Sequence, residues 1–297
     1  MPWSFFNNTD TEELKAFISS REHSCMNFAS ELKKKLSGGL KYSLQLNNQN
    51  SIVLHRNRHS RDIDFTVMLS PTGQLLPAAD TKKTGTAAVD ISEGIKLFKD
   101  AIFKVNTVMG DKLSVNKIIE NCFSEKSIIQ GTNSFNYYSM VLSRNNFNSY
   151  SSLPPGIIIR DASQSDLADL MSLQMNYEIE EVLPEAEMYS SYASRKMLIS
   201  ILREQRTVIA EKSGEIVAKA NTNASGFRHF QIGGVYTLPG YRRQGISTAV
   251  VSALSDRIFK SGMNLSLFVK TGNNAAVKVY IKLGFEIVEE FQITYLM

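Results

Sequence analysis

The stretch LPGYRRQGIST, residues 238–248, decides the fold of this chain. It follows the strand-like segment FQIGGVYTL (230–238), and a helix-forming segment begins at Arg243. A helix N-terminus exposes unpaired N–H groups and the positive end of the helix dipole, so the stretch indicates an anion site. Gly245 lets a diphosphate approach the backbone, and the two arginines at 242 and 243 add charged donors. Taken alone, the stretch also fits an ordinary helix start.

A second stretch, NNAAVKVYIKLGF (273–285), follows the strand-like segment LSLFVKT. Together the two stretches resemble the signature motifs of the GNAT superfamily, the acyl-CoA N-acyltransferases. The first family pattern is [RQ]-x-x-G-x-[GA] after a strand, and it matches at Arg242, Gly245 and Ser247, where serine replaces the usual glycine or alanine. The second pattern, N-x-x-A-x-x-x-Y-x-x-x-G-F, matches in register at Asn273, Ala276, Tyr280, Gly284 and Phe285. The resemblance covers about residues 157–297.

The resemblance implies that acetyl-CoA is the co-substrate and that no metal takes part. It also implies which residues contact the cofactor. The backbone of Val235, Tyr236 and Thr237 would pair with the pantetheine arm, and Gly233-Gly234 would mark a bulge. The diphosphate would be held by Arg242 and by the amides of Arg243, Gln244, Gly245, Ile246 and Ser247. Asn273 and Ala276 lie where the family contacts the pantetheine or orders the next helix, and Tyr280 lies where its phenol faces the cofactor sulfur.

Acetyl transfer to an amine sets chemical requirements on the site. A lysine-like amine has a pKa of about 10.4 and is mostly protonated at pH 7, so a base must take its proton. A strand N–H near Val235 would stabilise the negative charge that develops on the thioester oxygen. Tyr280 is the candidate acid for the departing thiolate. The spacing of Tyr280 alone also fits a buried aromatic residue on an amphipathic helix.

The candidate base lies in the acidic segment YEIEEVLPEAE, residues 177–187. On a helix Glu178 and Glu181 share one face, from which they would attract and deprotonate a cationic amine. A solvated acidic helix end explains the same pattern. His229 is the other possible base, and a surface or strand-edge histidine is its plainer interpretation.

Composition excludes several classes of protein. Hydrophobic residues make up 43% of the chain, which favours packed domains. No apolar run approaches the roughly 18 residues of a membrane span, and the first residues lack the order of a signal peptide. Residues 1–155 carry 18 Lys/Arg against 14 Asp/Glu and residues 156–297 carry 15 of each, giving the net charge of +4, a sparse basic character for a nucleic-acid binder. Cys25 and Cys122, far apart and without CxxC spacing, indicate a reducing compartment. We therefore expect a cytoplasmic protein.

The chain is expected to form two domains joined at the polar linker NNFNSYSSLPPG (145–156). Residues 1–150 would form an accessory domain and residues 151–297 the acetyltransferase domain. After the linker, the predicted order is β-α-α-β-β-β-α-β-α-β, with the last segment either one strand or a hairpin. This order indicates an α/β (α+β) fold with a mixed, largely antiparallel central sheet flanked by helices. A second mixed α/β domain would precede it.

The first half is harder to interpret. Its patterns indicate a helical region (12–36), a hairpin from YSLQL (42–46) and SIVLH (51–55), a strand (62–69), a helical region (92–122) and a strand (135–143). No internal repeat is apparent, and no RxxGxG-like element occurs. The half is either a degenerate GNAT-like domain that shapes the acceptor cleft or an unrelated accessory domain.

Two classes of function fit the sequence. One is an N-acetyltransferase that transfers acetyl directly to a primary amine of a small molecule, amino acid or peptide. The other is an acyl-CoA-binding module that senses or regulates without turnover. Tyr280 and the acidic segment favour the enzyme. The expected partner is the amine acceptor, with no nucleic acid or membrane, and the chain is expected to be a monomer or homodimer.

Overall fold

The computed structural model describes residues 2–38, 51–80, 89–123 and 132–296. Contacts divide the chain into two compact units. Unit 1 consists of Met1–Ser139 with Val288–Met297, and unit 2 consists of Met140–Ile287. The division falls before the linker predicted near residue 150, and it assigns the last strand to unit 1.

Unit 1 packs helices against a mixed sheet. Its elements in chain order are β1 (Trp3–Phe5), α1 (Thr11–Ser19), α2 (Met26–Leu36), β2 (Ile52–Arg56), β3 (Ile63–Leu69), β4 (Gln74–Ala79), α3 (Ile91–Lys96), β5 (Thr107–Asp111), α4 (Lys112–Cys122) and β6 (Thr132–Leu142). The pairs β1–β2, β2–β3 and β3–β4 are antiparallel, and β4–β5 is parallel. The strand β12 (Glu286–Leu296) then pairs with β5 antiparallel, from Phe291↔Asp111 to Tyr295↔Thr107.

The structure corrects the predicted elements of the first half. The prediction of a helical region at 92–122 is wrong at β5, which is a strand. β5 is short and contains β-branched residues, and the helical patterns on both sides obscured it. The helical region 12–36 is two helices separated by a turn at residues 20–25. β1 and β4 were not predicted; β4 contains Pro77, a residue that argues against a strand. The strand at 135–143 is confirmed by β6, and the segment 42–46 lies outside the described residues.

Unit 2 contains the elements that the second half of the sequence predicts. They are β7 (Ile157–Asp161), α5 (Leu167–Tyr177), α6 (Ser191–Glu204), β8 (Thr207–Lys212), β9 (Glu215–Ser225), β10 (His229–Thr237), α7 (Ile246–Phe259), β11 (Asn264–Lys270) and α8 (Asn274–Lys282). The strands β7, β8, β9 and β10 pair antiparallel in sequence order, and β10 pairs with β11 parallel. The last segment is the single strand β12 and not a hairpin.

The same order of elements occurs twice along the described chain. Residues 3–142 and residues 157–296 each follow the order β-α-α-β-β-β-α-β-α-β, with antiparallel pairing among the first four strands and parallel pairing of the fourth with the fifth. A structural repeat is therefore present although the sequence shows none. The mixed, largely antiparallel sheet flanked by helices confirms the predicted fold class.

The core of unit 2 places α5 and α6 on one face of its sheet. Leu170 and Leu173 of α5 and Leu198 of α6 pack with Ile209 and Tyr236 of the strands, all of them buried. Burying such side chains stabilises the fold by about 1.5–3 kcal/mol each. This packing fixes the end of α5 above β9 and β10. In the described part of the chain, no helix has the length and apolarity to cross a bilayer.

Candidate active site

The candidate site begins where two parallel strands of unit 2 part. β10 and β11 pair from His229↔Asn264 to Ile232↔Leu267, whereas β10 continues beside β9 as far as Thr237. A register break lies between Gly233 and Tyr236, and Gly234 has a φ of +58°. The predicted glycine bulge is therefore confirmed. Beyond Ile232, the edge of β10 that faced β11 has no partner strand among the described residues, so its backbone groups are open to an extended ligand.

The loop after β10 leads to the N-terminus of α7. Arg243 and Gly245 both have left-handed backbones, with φ of 63° and 79°, a turn geometry typical of anion-binding backbone concavities. α7 begins at Ile246, three residues later than predicted, with Gly245 as its N-cap. No side chain of the described residues caps this helix. Its first N–H groups are therefore free to bind an anion.

Arg242 braces this loop. Its Nε donates to the Thr237 carbonyl at 2.9 Å, and its Nη2 donates to Glu180 Oε2 at 2.9 Å. Its guanidinium lies 5.2 Å from the centroid of the Tyr236 ring. Gln244 Nε2 donates to the Gly240 carbonyl at 3.2 Å. The first residue of the motif thus acts on the shape of the loop through β10 and an acidic partner.

The second motif orders α8 and buries its tyrosine. Asn273 is the N-cap, and its Oδ1 accepts a hydrogen bond from the Ala276 amide at 3.0 Å. Tyr280 is 7% exposed, and its ring meets Phe285 edge-on with centroids 5.7 Å apart. Burial raises the pKa of Tyr280 well above its ordinary value, and Tyr177 and Glu181 raise it further. The phenol therefore keeps its proton at neutral pH, as an acid must.

The acidic segment continues α5 as a π-helical turn, Glu178–Val182, where an α-helix was predicted. Such turns often occur at functional sites. Glu178 Oε1 accepts from Gln174 Nε2 at 2.7 Å, and Glu181 Oε1 accepts from Asn273 Nδ2 at 3.0 Å. The two predicted glutamates thus contact different elements, α5 and the α8 cap.

Glu180, which the sequence analysis left out, has the most contacts of this turn with the first motif. Its Oε1 accepts from the Tyr236 hydroxyl at 2.6 Å, and its Oε2 accepts from Arg242. Partial burial opposes ionisation of Glu180, but these two bonds outweigh it and lower the pKa. The same bond and burial raise the pKa of Tyr236 to about 12. The turn is therefore fastened to β10 and to the loop before α7.

Comparisons with known proteins agree with this arrangement. Residues 167–285 match the Acetyltransferase (GNAT) family. These residues, called the GNAT region below, belong to the GNAT superfamily. An acetyltransferase of Sodalis glossinidius is 32% identical over 83 residues, which cover 27% of this chain and 56% of that protein. The match thus spans about half the length of that curated relative.

Solved structures show that the likeness in fold extends along the whole chain. A Drosophila protein solved by X-ray crystallography has a TM-score of 0.68 at 16% identity, with 100% of this chain and 98% of that chain covered. A GCN5-related N-acetyltransferase from Sphaerobacter thermophilus has a TM-score of 0.59 at 14% identity, covering 98% and 94%. An acetyltransferase of the GNAT family from Colwellia psychrerythraea has a TM-score of 0.55 at 11% identity, covering both chains fully. At such identities the likeness concerns the fold alone.

The GNAT region contains a buried lysine that the sequence analysis missed. Lys219, in β9, is 1% exposed, and its Nζ donates to the Gly234 carbonyl at 3.0 Å and to Asn221 Oδ1 at 3.2 Å. The Nζ also lies 4.9 Å from the centroid of the Tyr177 ring. Burial lowers the pKa of Lys219 to about 7, against the opposing charge of Glu178. In the sequence this lysine looks like any exposed strand position, since only tertiary packing buries it.

Tyr177 is a second residue of the GNAT region that the sequence analysis did not select. Its phenol oxygen lies near the Gly234 backbone amide. Burial raises the pKa of Tyr177, although this amide opposes the shift, and Glu181 and Glu178 raise it further. Tyr177 therefore lies between the bulge, the acidic turn and Tyr280.

The structure brings most of the predicted site residues together and separates one. Val235, Tyr236, Thr237 and the loop of residues 242–247 follow one another along β10 and into α7. The hydrogen bond from Asn273 to Glu181 links the α8 cap to the acidic turn. His229 lies at the opposite end of β10, about 16 Å from Gly234 at roughly 3.3 Å per residue. His229 is therefore a poor candidate for the base of this site.

Proposed function

We propose that the GNAT region is an acetyl-CoA-dependent N-acetyltransferase that acts on a primary amine. The observation that carries the proposal is the continuity of two open backbone surfaces. The edge of β10 beyond Ile232 leads directly into the loop and the uncapped N-terminus of α7. An extended thiol arm that ends in a diphosphate matches that combination, because strand edges bind extended chains and helix N-termini bind anions.

The chemistry is direct transfer. The acceptor nitrogen forms a bond to the acetyl carbon while the carbon–sulfur bond breaks, and the thiolate takes a proton. The Val235 N–H would stabilise the thioester oxygen as its negative charge develops. Tyr280 would give its proton to the departing sulfur. Its raised pKa keeps the phenol protonated before transfer but opposes the donation, so the transfer relies on the phenol lying beside the sulfur.

The acceptor is proposed to be a cationic amine of a small molecule, amino acid or peptide. Glu178 and Glu181 provide carboxylates at the end of α5, near Tyr177 and Tyr280. An ammonium group would be attracted there and lose its proton before attack, directly or through water. We therefore expect Glu178→Gln and Glu181→Gln to raise the acceptor KM while acetyl-CoA binding stays intact.

Unit 1 is proposed to be a degenerate copy of the same fold. The repeated order of elements supports this, and the first half of the sequence contains no RxxGxG-like element. We propose that it does not bind acetyl-CoA.

The test is release of free thiol from acetyl-CoA by the full chain, with a panel of small amines, amino acids and peptides. A reaction without amine gives the background of hydrolysis, and mass spectrometry identifies the acetylated product. Turnover with at least one amine is expected. Tight acetyl-CoA binding with no thiol release across the panel would instead support the acyl-CoA-binding module.

A further inference from the structure

Lys219 contacts the peptide unit that leads to the proposed oxyanion donor. Its Nζ donates to the carbonyl of Gly234, and that carbonyl belongs to the same peptide group as the Val235 N–H. The described chain has no cis peptide bonds. In a trans peptide the carbonyl and the N–H point in opposite directions. Because Lys219 holds the carbonyl on the β9 side, the Val235 N–H points away from Lys219.

The bulge makes this contact important. Gly234 has a positive φ, and the register of β9 and β10 passes from Gly233↔Asn221 directly to Tyr236↔Lys219. The peptide between Gly234 and Val235 is therefore outside the regular ladder. A Cβ at Gly234 would collide with the Asn221 side chain and lie 2.9 Å from Lys219 Nζ. The lysine and the asparagine thus pack directly against the bulge and determine how its peptide is turned.

A cation at a carbonyl also strengthens the N–H on the other side of the peptide. The charge polarises the amide, and hydrogen bonds in a chain reinforce one another where water is excluded. Lys219 is 1% exposed, so solvent screens this effect little. The Nζ is engaged by two hydrogen bonds, to the Gly234 carbonyl and to Asn221 Oδ1.

We propose that Lys219 is a positioning residue for acetyl transfer: through the Gly234 carbonyl it aims and polarises the Val235 N–H at the thioester oxygen. The inference rests on the proposed function. In this inference Lys219 acts on the oxyanion donor, whereas the loop before α7 binds acetyl-CoA.

The charge of Lys219 changes near neutral pH. Burial lowers its pKa to about 7, so the ammonium form predominates below that pH and the amine form above it. The groups that face it are Tyr177 at the end of α5, Glu178 in the acidic turn and its cross-strand partner Tyr236, whose hydroxyl is bound to Glu180. Its partner on β8 is the apolar Ile209. The contribution of the cation should therefore decline as pH rises through about 7.

The experiment compares Lys219→Met, Lys219→Arg and wild type, with Lys260→Met at the exposed C-cap of α7 as the matched control. Removal of one oxyanion donor costs about 10²–10³-fold in kcat. Because Lys219→Met weakens the donor without removing it, we expect kcat to fall by about 10- to 100-fold. The Kd for acetyl-CoA should stay within about threefold of wild type. Lys219→Arg should recover part of the loss, and the ratio of wild-type to Lys219→Met kcat should decrease between pH 6 and pH 8.

A second readout does not depend on turnover. The amide resonance of Val235 should shift with pH in wild-type protein with a midpoint near 7, and this titration should disappear in Lys219→Met. A wild-type Val235 resonance that does not move between pH 6 and 8 would overturn the inference even if Lys219→Met fails to fold. Unchanged kcat in folded Lys219→Met would also overturn it. Absence of wild-type turnover would overturn the proposed function instead, and the resonance would still report whether Lys219 acts on this peptide.

Discussion

The helix that follows the fourth strand differs between the two repeats of the fold. In unit 2, α7 has 14 residues and begins at Ile246, and its N-cap Gly245 has no side chain to cap it. In unit 1, α3 has six residues, and Asp90 caps it by accepting a hydrogen bond from the Ser92 amide at 3.0 Å. A carboxylate therefore already occupies the end of α3 at which α7 can bind an anion. If α7 holds a diphosphate as proposed, the comparison predicts that the repeated order of elements is not sufficient for such a site and that an uncapped helix end is also needed.

The next helix differs in one side chain. Asn273 caps α8 through the amide three residues later, and Asp111 caps α4 through the Ser114 amide in the same way. Seven residues after each cap, α8 has Tyr280 and α4 has Ile118, and both are buried. The proton donor proposed for the thiolate is thus an aliphatic residue in the first repeat. Unit 1 keeps the backbone frame and lacks the acid.

Gly245→Val should have the largest effect, because it blocks the feature that separates α7 from α3. Gly245 has a φ of 79°, which a β-branched side chain rarely adopts, and a Cβ there would lie 2.5 Å from the Tyr150 hydroxyl, so the Tyr150 side chain or the loop must shift. A strained backbone costs about 1–3 kcal/mol. Because the valine side chain would also stand where the diphosphate is proposed to approach the backbone, we expect acetyl-CoA affinity to fall by about 100-fold or more, at about tenfold per 1.4 kcal/mol.

Calorimetry measures this Kd, and circular dichroism checks the fold. Gly240→Ala in the same loop is the matched control, since a Cβ at Gly240 meets no atom within 4 Å. Normal binding by folded Gly245→Val protein would mean that the start of α7 is not the anion site.

Tyr280→Phe tests the second difference between the repeats. The ring would still pack against Phe285, but the proton donor is lost, and general acid catalysis is typically worth about 10²–10⁴-fold. We expect kcat to fall within that range while the Kd for acetyl-CoA changes little. Steady-state kinetics checks this, with Tyr192→Phe at an exposed position of α6 as the control. An unchanged kcat, where pre-steady-state kinetics shows that chemistry limits the wild type, would remove Tyr280 from the mechanism.

Lys219→Met should raise the free energy of unfolding at neutral pH. Lys219 is the buried lysine of unit 2, and no described lysine of unit 1 is buried. Its folded pKa of about 7 lies below the unfolded value of 10.5, so the unfolded chain binds more protons between these pH values. The free energy of unfolding of the variant should be a few kcal/mol higher, since lowering a pKa by one corresponds to about 1.4 kcal/mol. The two lost hydrogen bonds offset part of this gain.

Urea unfolding measures this gain, which should be complete below pH 7 and should shrink as pH rises toward 10.5. Lys260→Met should show no such pH dependence. A Lys219→Met protein that is less stable than wild type at every pH would show that the lysine contributes more through its hydrogen bonds than its burial costs.

Asp90→Ala should have the smallest effect on binding. It removes the cap of α3 and should lower the free energy of unfolding of unit 1 by about 0.5–2 kcal/mol. It should create no second acetyl-CoA site, because α3 is short and no arginine-glycine loop precedes it in the sequence. Calorimetric stoichiometry before and after the change provides the measurement. A second equivalent of bound acetyl-CoA would mean that the Asp90 cap alone prevents the first repeat from binding acetyl-CoA.

Much of unit 2 could be predicted from its sequence because its signals are local. Asn273 and Gly284 mark the two ends of α8. Gly245 directly precedes α7, whose start was predicted three residues too early. Such signals can be read locally because caps and left-handed positions depend on neighbouring backbone. The same is true of the Gly233-Gly234 bulge. The Asp90-Ile-Ser-Glu segment at the start of α3 was an equally local capping signal, and the prediction of one helical region from 92 to 122 passed over it.

The rest depends on contacts between distant parts of the chain. Lys219 resembles an exposed strand residue until α5 covers it, and the partner of Arg242 is Glu180, 62 residues earlier. The π-helical turn cannot be recognised from the pattern of apolar residues, which continues at helical spacing through Val182. β5 was missed because five residues between two helical patterns give too short a signal.

The position of β12 has a consequence for how the protein is made. This strand is synthesised after unit 2, yet from Val288 onward it belongs to the unit whose other strands precede unit 2 in the chain. On the ribosome, where the chain is synthesised at about 5–20 residues per second and folds from its N-terminal part, unit 1 cannot complete its sheet until unit 2 has been synthesised. A nascent chain would therefore carry the open edge of β5 throughout the synthesis of unit 2, and a premature stop near residue 287 would damage the N-terminal half of the protein rather than the half in which it occurs.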